Sequence, residues 1–125
     1  MVTTEENIRC WLRGIVESET IPADIKGINF GLFEQEGGGY CLYMIGSKEY
    51  DPDDDDWACD EDYQPVNKYF PLSTDSVSAM NWQDALNHVF AALKNIFTND
   101  PAIINFFGDR AITTGFDNGD LYRIR

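Results

Sequence analysis

Asn81-Trp82-Gln83-Asp84-Ala85-Leu86-Asn87-His88-Val89-Phe90-Ala91-Ala92-Leu93-Lys94-Asn95-Ile96-Phe97-Thr98 places Trp82, Leu86, Val89, Phe90, Leu93, Ile96 and Phe97 along one side of a 3.6-residue period. The pattern predicts a helix over 81–98. Asn81 is a good N-cap, and Asp84 falls in the first turn, at the positive end of the helix dipole. Directly after it, Asp100-Pro101 reads as a cap followed by proline at the first helical position, so a short helix through Phe106 is expected. Toward the N-terminus, residues 4–19 repeat the amphipathic pattern with Ile8, Trp11, Leu12 and Ile15 on one face. Thr4 is the expected cap there, with Glu5 and Glu6 in the first turn and Pro22 shortly after the stop.

Between and after these helices the period changes to two. Ile28, Phe30 and Leu32 alternate with Asn29, Gly31 and Phe33, Gly37-Gly38-Gly39 makes a turn, and Tyr40 to Ile45 is apolar on both faces. A hairpin is the reading. The triple glycine is no phosphate loop, since neither Lys-Ser/Thr nor a helix follows it. Lys68-Tyr69-Phe70-Pro71-Leu72 reads as a short edge strand, because Pro71 lacks the N–H a central strand needs. Residues 110–125 read as a second hairpin around Asp117-Asn118-Gly119-Asp120. Asn-Gly suggests a type I′ turn, with Phe116 opposite Leu121 and Gly115 opposite Tyr122. The order is helix, hairpin, acidic loop, helix, hairpin. The expected fold is a single α+β domain over residues 1–125, an antiparallel sheet of two hairpins with the two main helices on one face.

The 125 residues carry 9 Lys and Arg against 22 Asp and Glu, for a net charge of -13. At 43% hydrophobic and 14% aromatic, the chain has enough apolar material for a core. So acidic a chain speaks against a nucleic-acid groove and against a polybasic membrane anchor. The N-terminal Met1-Val2-Thr3-Thr4-Glu5-Glu6 lacks a basic start and an apolar stretch, so no leader is expected. The longest apolar run, Tyr40 to Ile45, is far short of the roughly 20 residues that span a bilayer. A cytoplasmic location follows as the expectation, with Cys10, Cys41 and Cys59 as buried free thiols: their number is odd and no C-x-x-C occurs.

The charge is concentrated. Residues 51–62 hold eight acidic groups and no basic one: Asp51, Asp53, Asp54, Asp55, Asp56, Asp60, Glu61 and Asp62. Three explanations compete. Mutual repulsion could simply keep the loop solvated. Asp51, Asp53 and Asp55 stand at positions 1, 3 and 5 of a twelve-residue calcium loop with Asp62 at position 12, but position 6 is Asp56 in place of the turn glycine, and Pro52 interrupts. Alternatively, the loop steers a basic protein partner, with Tyr50, Trp57 and Tyr63 as aromatic anchors among the charges. Trp57 has a competing role, pinning the loop to the body of the domain.

No catalytic constellation reads from the chain. Its one histidine, His88, falls off the stripe of its helix, and the usual serine-hydrolase, metalloprotease and dinucleotide motifs do not occur. Carboxylate pairs occur within a solvated loop, which lacks the contrast of environments that acid–base catalysis needs. No cofactor and no metal site are expected.

The stretch Ala111-Ile112-Thr113-Thr114-Gly115-Phe116-Asp117-Asn118-Gly119-Asp120-Leu121-Tyr122-Arg123-Ile124 resembles the ending of small acidic α+β immunity proteins of bacterial polymorphic-toxin and contact-dependent inhibition systems. The resemblance implies a non-enzymatic inhibitor of a cognate toxin domain. Many such toxins are basic nucleases, which suits the loop. It assigns no residue roles. The expected function is therefore protein binding, with Tyr50, Asp51, Asp53–Asp56, Trp57, Asp60–Asp62 and Tyr63 at the interface. A structural or regulatory module, with a weak divalent-cation site in the loop, is the alternative, and a small enzyme the third.

Overall fold

Thr3, not Thr4, caps the first helix: its Oγ1 accepts the Glu6 N–H at 3.1 Å. Thr4 is instead the first helical residue and is buried. A computed structural model describes residues 3–72 and 79–125 of the protein; Met1 and Val2, part of the stretch read as leader-free, lie outside the described residues. Helix α1 spans Thr4–Ser18 and buries Ile8, Trp11, Leu12 and Ile15 as the periodicity requires. Strands β1 (Gly27–Glu34) and β2 (Tyr40–Ser47) form the first hairpin in full register, Gly27 opposite Ser47 through Glu34 opposite Tyr40. Its turn needs Gly37, Gly38 and Gly39, which all have positive φ, at 91°, 107° and 83°.

Strand β3 (Tyr69–Pro71) lies at the edge beside β2, where the proline is tolerated. Helix α2 (Trp82–Asn99) begins at Asn81, whose side chain accepts the Asp84 N–H at 2.9 Å. Helix α3 (Pro101–Phe107) follows at once, capped by Asp100. Strands β4 (Ala111–Phe116) and β5 (Tyr122–Arg123) close the chain as the second hairpin.

The fold class is α+β, as the patterning implies, but the sheet is mixed rather than antiparallel. Its order is β3-β2-β1-β4-β5, and the central pair β1–β4 is parallel, with Gly27 beside Ala111 and Leu32 beside Phe116. Each hairpin is antiparallel within itself. The join between them runs parallel because α2 and α3 form a long crossover that returns the chain to the end of the sheet where β1 starts.

All three helices share one face. The even-numbered side chains Ile28, Phe30, Leu32, Leu42, Met44 and Ile112 meet them in one buried cluster with Leu93, Ile96 and Phe107. Phe30 sits at its centre, with its ring 6.2 Å from Trp11, 6.1 Å from Phe97 and 6.0 Å from Phe107. The Trp11 indole N–H is satisfied by the Asn67 carbonyl at 2.9 Å, so burying it leaves no donor orphaned. At the helix junction the buried Asp100 carboxylate accepts from Arg13 at 3.0 Å and lies 3.6 Å from Arg9.

Three further expectations need correction. Of the free thiols only Cys41 is buried; Cys10 falls outside the Ile8–Trp11–Leu12–Ile15 stripe, and Cys59 ends an exposed turn. Trp82, read as part of the apolar stripe, is 56% exposed, because the first residue of α2 overhangs the end of the sheet. The second hairpin does not turn as type I′: no non-glycine residue and not Gly119 has positive φ, and the Gly119 N–H closes onto the Phe116 carbonyl at 3.1 Å. The register moves by one, to Thr114 opposite Tyr122.

Candidate functional site

The acidic segment folds back as a lid on the sheet face opposite the helices. Asp51 Oδ1 accepts the Asp53 N–H at 2.9 Å, and Asp54 Oδ1 accepts the Asp56 N–H at 3.0 Å, which caps a 3-10 turn over Asp55–Cys59. Aspartates at these positions give the backbone local acceptors, so the run is a sequence of turns and not a random coil. The turn delivers Trp57 to the sheet, where the indole is only 4% exposed. It rests on Gly27: a Cβ at that position would come within 2.7 Å of the Trp57 ring. Tyr50 packs edge-on against Trp57, with ring centroids 5.1 Å apart.

Of the two roles read for Trp57, the packing fits the pinning one. In this conformation it presents almost no surface to a partner. Tyr63 is held as well, its hydroxyl donating to Glu19 Oε1 at 2.8 Å. Burial, followed by that bond to a carboxylate, pushes its pKa far above the usual phenol value. Tyr50 is half-buried beneath Arg123, whose guanidinium carbon lies 5.4 Å from the ring centroid. None of the three aromatics is a free anchor.

The carboxylates are another matter. All eight acidic residues of 51–62 are exposed. Several are also tethered. Asp55 Oδ2 accepts the Leu121 N–H at 3.0 Å, which ties the loop to the second hairpin. Asp62 accepts the Lys48 N–H at 2.8 Å, and Glu61 pairs with Lys68. Asp53, Asp56 and Asp60 are the freest to face a partner, since no side-chain bond from them is found among the described residues.

Asp51, Asp54, Asp56 and Asp60 rim a shallow depression of about 440 Å³ floored by Trp57, with Lys26 reaching in from just before β1. The chain pattern showed neither Lys26 nor Arg123 at this place. They come from segments 25 or more residues away, and only the fold brings them here. The calcium-like spacing of Asp51, Asp53, Asp55 and Asp62 does not become a cage: Asp55 turns to Leu121 and Asp62 to Lys48. Among the described residues no three His, Cys, Asp or Glu side chains converge as metal ligands. His88 lies on the exposed side of α2, as expected.

Beside the lid, the same sheet face carries Phe33, Tyr43 and Tyr69 in a row across three strands, with ring centroids 6.1 and 6.3 Å apart. Tyr43 lies over Gly31, where any Cβ would collide with its ring. Burial, and then the charges of Asp117 and Glu61, push the Tyr43 hydroxyl up to about 12. No helix among the described residues is long and apolar enough to cross a membrane. Compared with protein families, with curated proteins and with solved structures, the chain matches none of them.

Proposed function

We propose that the protein is a non-enzymatic binding module that docks a basic protein partner on its acidic lid, in the manner of an immunity protein covering a cognate toxin domain. The observation that carries this reading is that the densest charge in the chain is held in place. Asp51 and Asp54 shape the turns, Trp57 pins them to Gly27, and Asp55 ties them to β5's approach. A charge array kept only for solubility has no need of a buried tryptophan beneath it. Fixed carboxylates attract a cationic surface at long range and lose little conformational freedom on contact. The resemblance of residues 111–124 to immunity-protein endings supports the choice of partner class.

The test uses the intact chain as bait in its source cell, followed by association and dissociation rates for the captured protein at several salt concentrations. Asp53→Asn, Asp56→Asn and Asp60→Asn together leave the structural carboxylates in place. The triple variant should slow association about tenfold at low salt and flatten its salt dependence, with dissociation changed less. Unchanged rates in the triple variant would overturn the reading and leave the loop as a solubility feature.

A further inference from the structure

Trp82 is the one tryptophan with a large exposed surface: Trp11 and Trp57 are 5% and 4% exposed, against 56% for Trp82. It stands as a wall between two depressions. On one side, a slot of about 530 Å³ is formed with Phe116, Glu34 and Asp117, and with Asn118 and Gly119 of the turn. On the other, a smaller hollow of about 270 Å³ is lined by Leu86, Phe90 and Tyr122, with Gln83 and Asn87 at its side. Neither lining includes a cation among the described residues. The slot opens where the parallel strands β1 and β4 end: Glu34 is the last residue of β1, Asp117 follows the last residue of β4, and both line it. The Phe116 ring is set almost perpendicular to the indole, at 84° and 6.1 Å.

We propose that Trp82 and its two flanking hollows form a second docking surface, which takes an arginine-bearing segment of a protein partner: the guanidinium in the Glu34–Asp117 slot against the indole face, and a neighbouring apolar side chain in the Leu86–Phe90–Tyr122 hollow. The commitment to a basic occupant rests on charge complementarity, since both charged groups of the slot are carboxylates. Arginine fits better than lysine because its planar cation stacks on an aromatic face while its N–H groups still reach a carboxylate. An exposed Trp bordered by apolar and acidic side chains is also the residue type that most often anchors an interface. The surface uses no residue of the 51–62 loop, so it stands independently of the function proposed above.

The probe is a short acetylated and amidated leucyl-arginine peptide, compared with its citrulline counterpart, which keeps the shape and loses the charge. Binding is followed by the Trp82 indole N–H resonance and by calorimetry. The arginine peptide should shift that resonance saturably, with the citrulline peptide at least about 3-fold weaker. Glu34→Gln with Asp117→Asn should weaken the arginine peptide about 3- to 10-fold. Trp82→Ala, at a position 56% exposed, should abolish the calorimetric signal while leaving the far-ultraviolet circular dichroism of the fold unchanged. Asp53→Asn, Asp56→Asn and Asp60→Asn should leave the titration unchanged, whatever they do to the partner of the acidic lid. Equal binding of the citrulline peptide, binding that survives Trp82→Ala, or an equal loss in the loop variant would each overturn the proposal. So would the absence of a saturable shift.

Discussion

Asp100 shows how one residue joins three helices: its backbone N–H donates to the Ile96 carbonyl at the end of α2 at 3.0 Å, and its side chain reaches the other two. It is only 5% exposed, it caps α3 by accepting the Ile103 N–H at 3.3 Å, and it receives Arg13 and Arg9 from α1. Burial opposes its charge, but the Arg13 bond, the Ile103 N–H and the two guanidinium charges outweigh that, so its pKa lies below the usual carboxylate value. A lowered folded pKa means that the stability Asp100 contributes is complete above the unfolded value of about 3.9 and is lost as pH falls through the folded value. Asp100→Ala should therefore destabilise the protein by about 1–3 kcal/mol at neutral pH, and Asp100→Asn should flatten the acid limb of a stability-versus-pH curve from urea unfolding. Gly27 is the second decisive residue. Gly27→Ala drives a methyl group into the Trp57 ring; the expected result is a loss of about 1–3 kcal/mol and a red-shifted Trp57 emission as the lid lifts, read by fluorescence in a Trp82→Phe background.

Among the elements, the two turns invite opposite substitutions although both contain glycine. Gly38 has φ of 107°, so Gly38→Ala should cost about 1 kcal/mol or more. Gly119 lacks positive φ, and a Cβ there meets its nearest neighbour at an ordinary 3.7 Å, so Gly119→Ala should change stability by less than about 0.5 kcal/mol. A type I′ turn would make Gly119→Ala cost about as much as Gly38→Ala, which makes the pair of thermal melts a direct check on the turn. On α2, Leu93 is fully buried and Leu93→Ala should cost about 2–5 kcal/mol, while the exposed His88→Ala should be near neutral.

For the whole molecule the governing quantity is a net charge of -13 with eight acidic groups in twelve residues. Repulsion within the lid opposes the packing of Trp57 beneath it, and salt screens repulsion between exposed charges over about 10 Å at 0.1 M. Raising sodium chloride from about 0.02 M to about 0.5 M should raise the melting temperature of the protein. The gain should shrink when Asp53, Asp56 and Asp60 are replaced by asparagine, and a fall in melting temperature with salt would show that the lid is held mainly by attraction to Lys26, Lys68 and Arg123.

Local sequence signals were enough to find α1, α2, α3, the first hairpin and the proline-marked edge strand, because each depends on neighbours within a few residues: an i, i+3, i+4 stripe, a capping side chain, a run of glycines. The local density of carboxylates in residues 51–62 was legible for the same reason. The parallel β1–β4 join was not, since alternation tells which side chains share a face but not which way the next hairpin runs; the crossover through α2 and α3 decided it. Trp57 looked the same on paper as an anchor or a pin until Gly27, 30 residues earlier in the chain, provided the bare surface that buries it. Trp82 belonged by spacing to the buried stripe, yet its place beyond the ends of β1 and β4 leaves it in water. Contacts made within a turn are encoded beside the residues that make them, whereas burial and pairing between distant segments exist only once the chain has folded.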